Sequence, residues 1–108
     1  MNEAQEIMGR TKVVTLSQPI KAHDQEVKAL ELRRPTVAEV RKIGCLPYRL
    51  RPDGLMFDPD TEITAQYLVV CAGIPPSSVD QIELSDFNKL AWQICNFFAQ
   101  PESSAPSN

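Results

Sequence analysis

The chain has few of the residues on which catalytic sites depend. Its four glycines are all isolated, and His23 is its one histidine. A phosphate-binding loop needs clustered glycines, and the patterns Gly-x-Ser-x-Gly and His-Glu-x-x-His are both missing. A catalytic histidine needs a positioned partner, whereas His23 lies among polar residues typical of a solvated turn. The sequence therefore predicts a protein with no catalytic activity and no cofactor.

Cysteines are also few. The three, Cys45, Cys71 and Cys95, form no Cys-x-x-Cys pair, so neither a disulfide framework nor a zinc site is indicated. Cys71 and Cys95 fall on apolar faces of predicted helices, where free cysteine behaves as a small core residue.

A metal site is not indicated by the acidic residues either. Asp58, Asp60 and Glu62 alternate as in a calcium loop. A loop starting at Asp58 would place Ile63 where glycine is needed and Val69 where glutamate is needed. Helix capping explains these acids better.

Long apolar runs are absent as well. No stretch approaches the ~20 residues of a membrane-spanning helix, and the acidic first residues do not resemble a signal peptide. A length of 108 residues with 43% hydrophobic content fits one domain. We expect a cytosolic protein with disordered ends at 1–10 and 100–108 and a single α+β domain over 11–99.

The first half of the domain predicts a hairpin followed by a helix. Residues 12–20 and 27–33 show the two-residue period of half-buried strands, and 22–25 predicts a loop of four or five residues. Thr36 and Glu39 then have the spacing of a capping box, which predicts a helix over 37–43 ending at Gly44.

The segment 45–59 carries three prolines, which exclude a long helix. Arg51-Pro52-Asp53-Gly54 is a strong turn signal. Two alternatives remain: a small hairpin between Tyr48–Leu50 and Leu55–Phe57, or a loop.

Helices are predicted in the second half. One is capped by Asp60 or Thr61 and ends at Gly73, a short turn covers 77–82, and the last runs over 86–98 with Ser85 as its N-cap. The stripe of the first is Ile63, Tyr67, Val70 and Cys71. The last has a wide face of Phe87, Leu90, Ala91, Ile94, Phe97 and Phe98, whereas Trp92 lies to one side. The fold class is α+β: an N-terminal antiparallel β-hairpin covered by three to four short helices.

Charge is divided between the halves. Residues 1–51 carry ten Lys and Arg against six acids, and residues 52–108 carry one Lys against eight acids. This asymmetry fits a partner surface, attraction within the chain, or contact between copies. The candidate basic surface is Arg33, Arg34, Arg41, Lys42, Arg49 and Arg51. Nucleic-acid readout is disfavoured because the last helix offers only Lys89 beside a ridge of phenylalanines.

Three segments together resemble one protein family. They are 13–20, 27–37 with its Arg33-x-Pro35-Thr36 helix start, and 73–82 followed by Ser85-Asp86-Phe87. Their order and spacing are similar to those of the small tail assembly chaperones of contractile- and siphon-tailed bacteriophages and prophages. The match spans most of the chain, but the hairpin loop lacks the family's usual glycine and segment 45–59 departs from the family pattern.

The resemblance implies a function through protein binding. Such chaperones keep the tape measure protein soluble during tail morphogenesis, act in the host bacterial cytoplasm and are absent from the virion. It also implies a C-terminally extended form, and self-association is a further expectation. We expect a target helix to lie in a groove between the second and last long helices. The candidate contacts are Tyr67, Trp92 and Phe98, with Arg33, Arg34 and Arg41 from the basic half.

Two other functions are compatible with these residues. One is a prophage-encoded regulatory protein that binds a host protein, or nucleic acid, through its basic N-terminal half. The other is a small structural component that stays in the tail.

Overall fold

The fold begins with a long β-hairpin. In the computed structural model, which describes residues 11–54 and 56–99, strand β1 (Thr11–Ala22) pairs antiparallel with β2 (Gln25–Arg33). The predicted disorder at 1–10 and 100–108 lies outside the described residues. The inner face is the one that the alternation predicted, with Leu30 2% and Leu32 0% exposed.

The turn between these strands is shorter than predicted. Ala22 pairs with Gln25, so only His23 and Asp24 form the loop. Their φ angles are +54° and +65°, the geometry of a type I′ turn, which matches the twist of a hairpin. The prediction of four or five loop residues was wrong because Ala22 and Gln25 look like loop residues but extend the ladder.

Strand β1 carries a bulge near its middle. Thr15 pairs with Ala29 and Ile20 with Val27, so residues 16–19 face a single residue of β2. Pro19, which has no N–H, lies within this bulge. The bulge turns the N–H of Ser17 away from β2 and toward Asp86, to which both its N–H (2.8 Å) and its hydroxyl (2.9 Å) donate.

Helix α1 (Val37–Ile43) has the predicted caps. The Thr36 hydroxyl accepts from the N–H of Glu39 (3.1 Å), and the Glu39 carboxylate accepts from the N–H of Thr36 (2.9 Å). Gly44 ends the helix at φ +87°, a left-handed conformation that favours glycine.

The remaining elements are a second hairpin and three helices. Strands β3 (Tyr48–Leu50) and β4 (Phe57–Pro59) pair antiparallel, so the hairpin alternative is confirmed with its second strand two residues later than predicted. Helix α2 (Thr61–Ala72) is capped by Asp60 and ends at Gly73, as predicted. The short helix α3 (Pro76–Val79) begins and ends earlier than the predicted turn.

The last helix, α4, spans Leu84–Ala99, so Ser85 is not its N-cap. The carboxylate of Glu83 accepts from both the N–H and the hydroxyl of Ser85, and the Glu83 carbonyl accepts from the N–H of Phe87. Glu83 therefore performs the capping role that the sequence assigned to Ser85.

One hydrophobic core joins the first hairpin to α2, α3 and α4. Its buried members are Leu16, Ile20, Ala22, Leu30, Leu32, Tyr67, Leu68, Cys71, Ile74, Val79, Leu90, Ile94 and Phe97. The predicted stripe of α2 was partly wrong, because Thr64 and Leu68 are buried whereas Val70 is only half-buried. Within the described residues, no helix is long and apolar enough to cross a membrane. The structure confirms the α+β class.

Candidate partner-binding site

The segment between α1 and α2 folds back over the helices, and we call its described residues, 45–54 and 56–60, the strap. Gly44 turns the chain into it, and Gly54, at φ +72°, closes its turn by donating to the Arg51 carbonyl (2.8 Å). At its far end the N–H of Asp60 donates to the Pro47 carbonyl (2.9 Å). The strap is therefore a loop whose two ends are joined by a backbone hydrogen bond.

The strap lies across α2 and α4 through a row of aromatic rings. Phe57 contacts Trp92 (centroids 5.9 Å apart), and Tyr48 contacts both Phe57 (5.0 Å) and Phe98 (6.2 Å). Phe98 in turn meets Tyr67 edge to face at 5.4 Å. Such tilted and edge-on pairs stabilise by roughly 0.5–1.5 kcal/mol each beyond area burial.

Two donors from the helices face the backbone of the strap. The Tyr67 hydroxyl of α2 donates to the Cys45 carbonyl (2.5 Å), and the Cys95 Sγ of α4 lies 4.0 Å from the Pro47 carbonyl. Pro47 is fully buried between them. Burial raises the pKa of Tyr67 and that of Cys95, so both groups keep their protons and stay donors at neutral pH.

Exposed apolar side chains are concentrated at the strap. Seven large apolar residues are exposed in the described chain, and Leu46, Leu50 and Met56 of these belong to the strap. A fourth, Trp92, is 43% exposed and contacts the strap through Phe57. We call these four the exposed apolar group. Exposed apolar side chains mark interaction surfaces where they adjoin other apolar groups, as Trp92 adjoins Phe57 here.

The structure places the predicted contact residues in different environments. Trp92 lies beside the strap, and Phe98 is half-buried beneath Tyr48. Tyr67 is 0% exposed, so a partner cannot reach its ring in this conformation. At the place between α2 and α4 where the groove was predicted, residues 45–48 of the chain itself lie against the helices.

The predicted arginines are mostly engaged within the molecule. Arg33 forms a two-pronged ion pair with Glu39 (2.9 and 2.7 Å), and the Arg34 guanidinium lies 5.7 Å from the centroid of the Phe97 ring. Arg41 is exposed in the last turn of α1, where it complements the helix dipole. Of the other arginines on the candidate basic surface, Arg49 pairs with Asp60 and Arg51 with Asp58.

The hydrogen bond from Arg33, with a further one from the backbone of Thr36, lowers the pKa of Glu39 to about 2. In the same way, the Ile63 N–H and then Arg49 hold the pKa of Asp60 below its ordinary value. Both carboxylates therefore stay ionised and paired at neutral pH.

Sequence reasoning missed Tyr48 and Phe57 as parts of the site. The signal for Tyr48 was present, because apolar and charged side chains alternate over 48–51 before the Arg-Pro-Asp-Gly turn, whereas Phe57 ends an unbroken apolar run after it. The alternation predicts one apolar face, but not which helices that face would cover.

The other candidate centres have structural explanations. His23 is exposed, and its Nε2 lies 3.0 Å from the carbonyl of Gly73, which ties the hairpin turn to the end of α2. In the described chain, no three side chains of His, Cys, Asp or Glu gather where they could hold a metal ion.

Comparison with known proteins places this architecture in a family. The family model described as "Phage tail assembly chaperone proteins, E, or 41 or 14" matches residues 13–99, well over half of the 108 residues. The chain belongs to the phage tail assembly chaperone family. The matched range contains nearly all of β1 and every later element, so it includes the strap and the helices beneath it. No curated protein and no solved structure matched the chaperone sequence.

Proposed function

We propose that this chaperone binds the tail tape measure protein and keeps it soluble until the tail tube forms around it. Family membership supports a role in tail assembly. The observation that carries the proposal is the exposed apolar group, because a chaperone must offer apolar surface to an apolar client. The role is one of binding, without a catalytic step.

The test is co-expression with the tape measure protein from the same genome, followed by pull-down and a solubility assay. The proposal expects the tape measure protein to move from the pellet to the soluble fraction and to co-purify. A tape measure protein that stays insoluble, beside a folded chaperone with and without its C-terminal extension, would contradict the proposal.

Localisation is part of the same proposal. A chaperone acts in the host cytoplasm and leaves before the tail is finished, so purified virions should lack this chain. A stoichiometric amount in virions would instead support the structural component. Self-association and an extended form stay predictions.

Binding through the basic half is the rival function. Contacts with phosphates weaken steeply as salt rises, whereas apolar binding does not. Arg33, Arg49 and Arg51 are already ion-paired, and Arg34 covers a ring, which leaves less free positive charge than the sequence implied. Capture of the tape measure protein should therefore change little between 50 and 500 mM salt, roughly a tenfold range over which phosphate binding would be largely lost.

A further inference from the structure

The strap is outside the main core, although it covers part of it. None of the buried members of the core cluster, and none of the partly buried residues packed against it, lies within the described part of 45–60. Pro47 is the strap residue that is fully buried, and it lies between Tyr67 and Cys95 rather than within that cluster. The core can therefore stay intact when the strap moves.

Strand pairing and ion pairs hold the strap only weakly. Its two strands have three residues each and pair only with each other, and an isolated two-stranded hairpin is marginal in water. Its ion pair to the cap of α2 uses Arg49, whose side chain is 78% exposed, and such pairs contribute little. Local opening with low free energy is expected of a segment with these properties.

The groove under the strap has a defined chemistry. Its floor is apolar and aromatic, from Phe98 and Trp92, and the Tyr67 hydroxyl and the Cys95 thiol point their protons into it. The present occupant, residues 45–48, supplies two backbone carbonyls as acceptors. A replacement that brought no acceptor would leave the Tyr67 hydroxyl buried and unpaired, which is costly.

We propose that the strap is a displaceable cover, and that an extended apolar segment of the tape measure protein replaces it in the groove between α2 and α4. The segment is extended because the interior carbonyls of a helix are already bonded, whereas an extended chain can offer them to Tyr67 and Cys95. The exposed apolar group on the strap and on Trp92 provides the first contact. This inference rests on the proposed function for the identity of the occupant, but not for the movement of the strap.

Movement of the strap is tested on the chaperone alone. Cys95 lies under the strap and Cys71 lies in the core away from it, and both are buried. The experiment uses a Cys45→Ser background, which removes the exposed thiol but keeps the backbone carbonyl at position 45. It compares the rates at which dithiobis(nitrobenzoate) labels Cys95 and Cys71. We expect Cys95 to react faster than Cys71, and Tyr48→Ala and Phe57→Ala each to increase the Cys95 rate roughly tenfold or more.

The controls are built into that experiment. The Cys71 rate reports global unfolding, so it should not change in a variant that only frees the strap. Val37→Ala, which shortens an exposed apolar side chain on α1, should alter neither rate. Equal labelling of the two thiols in every variant would show that the strap opens only with the whole fold, and would overturn the proposal without affecting the proposed function.

Displacement by the partner is tested by hydrogen exchange. With the tape measure protein bound, exchange in peptides covering 45–60 should rise, and Cys95 should become protected from labelling. Tyr48→Ala and Phe57→Ala should then bind more tightly, because less of the binding free energy is spent on opening the strap.

Slower exchange in 45–60 together with weaker binding by these variants would place the partner on top of the strap and refute displacement, while capture itself would still support the proposed function. Failure of the wild type and of both variants to bind would contradict the proposed function and, with it, the identity of the occupant.

Discussion

Glu39 accepts hydrogen bonds from two directions, the Arg33 guanidinium and the backbone of Thr36. Its pKa in the folded protein is about 2, below the ordinary 4.5. A carboxyl group whose pKa is lowered by folding stabilises the folded state at any pH above its pKa in the unfolded chain. This contribution is lost as the pH falls from about 5 toward 2.

The first prediction follows from this pair. Glu39→Gln should lower the free energy of unfolding by up to about 1 kcal/mol at pH 7, because the half-exposed ion pair with Arg33 is lost, although the glutamine amide oxygen can still accept from the N–H of Thr36. Urea denaturation at pH 7, 5 and 3 should show the difference from wild type shrinking toward acid. Glu31→Gln, which changes an exposed carboxylate on β2, is the matched control. A difference that is constant with pH would contradict the assignment.

Thr64, unlike Glu39, is a buried residue whose polar group is unpaired within the described chain. Its side chain is 0% exposed, and its hydroxyl has no hydrogen-bond partner among the described residues. Thr64→Val keeps the shape and removes the unpaired group, so it should raise the free energy of unfolding by about 1 kcal/mol. Thr64→Ser keeps the hydroxyl and loses a methyl group, so it should be less stable than wild type. Both are measured by urea denaturation; a destabilised Val variant would show that the hydroxyl is bonded in solution.

Asp86 is predictable only in part from its sequence position. Its place beside Ser85 indicates a helix N-terminus, which is correct. Its real partner, Ser17, lies 69 residues away on the bulge of β1. Desolvation acts to raise the pKa of Asp86, but the hydrogen bonds from Ser17, together with the Lys89 charge and the backbone of Gln18, hold the pKa below its ordinary value. Local patterns do not encode such distant contacts.

At the scale of elements, the turn of the first hairpin is under local strain. Asp24 has φ +65°, where glycine is the favoured residue. Asp24→Gly should therefore raise the free energy of unfolding by about 0.5 kcal/mol, whereas Asp24→Ala should lower it. Thermal unfolding followed by circular dichroism distinguishes the two. Equal effects of Gly and Ala would indicate that the Asp24 side chain, rather than its backbone, determines the stability of the turn.

Element existence was more predictable than element contacts. Strand alternation, the Thr36–Glu39 box and the glycine stops are encoded within a few residues, and all three were confirmed. The buried face of α2 was not predictable from its period, because residues 68–72 are apolar without interruption. The strap was harder still, because its apolar face becomes meaningful only once α2 and α4 are known to lie beneath it.

At the scale of the whole molecule, a substitution of Trp92 tests whether the surface beside the strap binds a partner. Trp92→Ala should reduce co-purification of the tape measure protein at least severalfold, because it removes the largest exposed apolar side chain beside the strap. The melting temperature should change little, since the ring is not part of the core cluster. Leu84→Ala, on the same helix and 80% exposed, is the matched control and should bind normally. Loss of folding in Trp92→Ala would instead make this ring structural.

The charge division of the chain also has an explanation at this scale. Arg33 pairs with Glu39 within the first half, but Arg49 pairs with Asp60 and Arg51 with Asp58 across the boundary between the halves. Part of the asymmetry is therefore intramolecular attraction, which was one of the alternatives that the sequence left open.

The outer edge of β1 is closed by side chains rather than by another strand. The Gln81 amide accepts from the N–H of Lys21 (2.8 Å) and donates to its carbonyl (3.2 Å), while Ser78 donates to the same carbonyl. With Asp86 on the N–H of Ser17, these groups occupy the backbone positions that an incoming strand would use. A continuous sheet made of many copies requires two unpaired strand edges in every copy. Because the edge of β1 is blocked along this stretch, edge-to-edge pairing here can join no more than two copies. Edge-to-edge growth of this chaperone into fibres is therefore disfavoured along this stretch of β1.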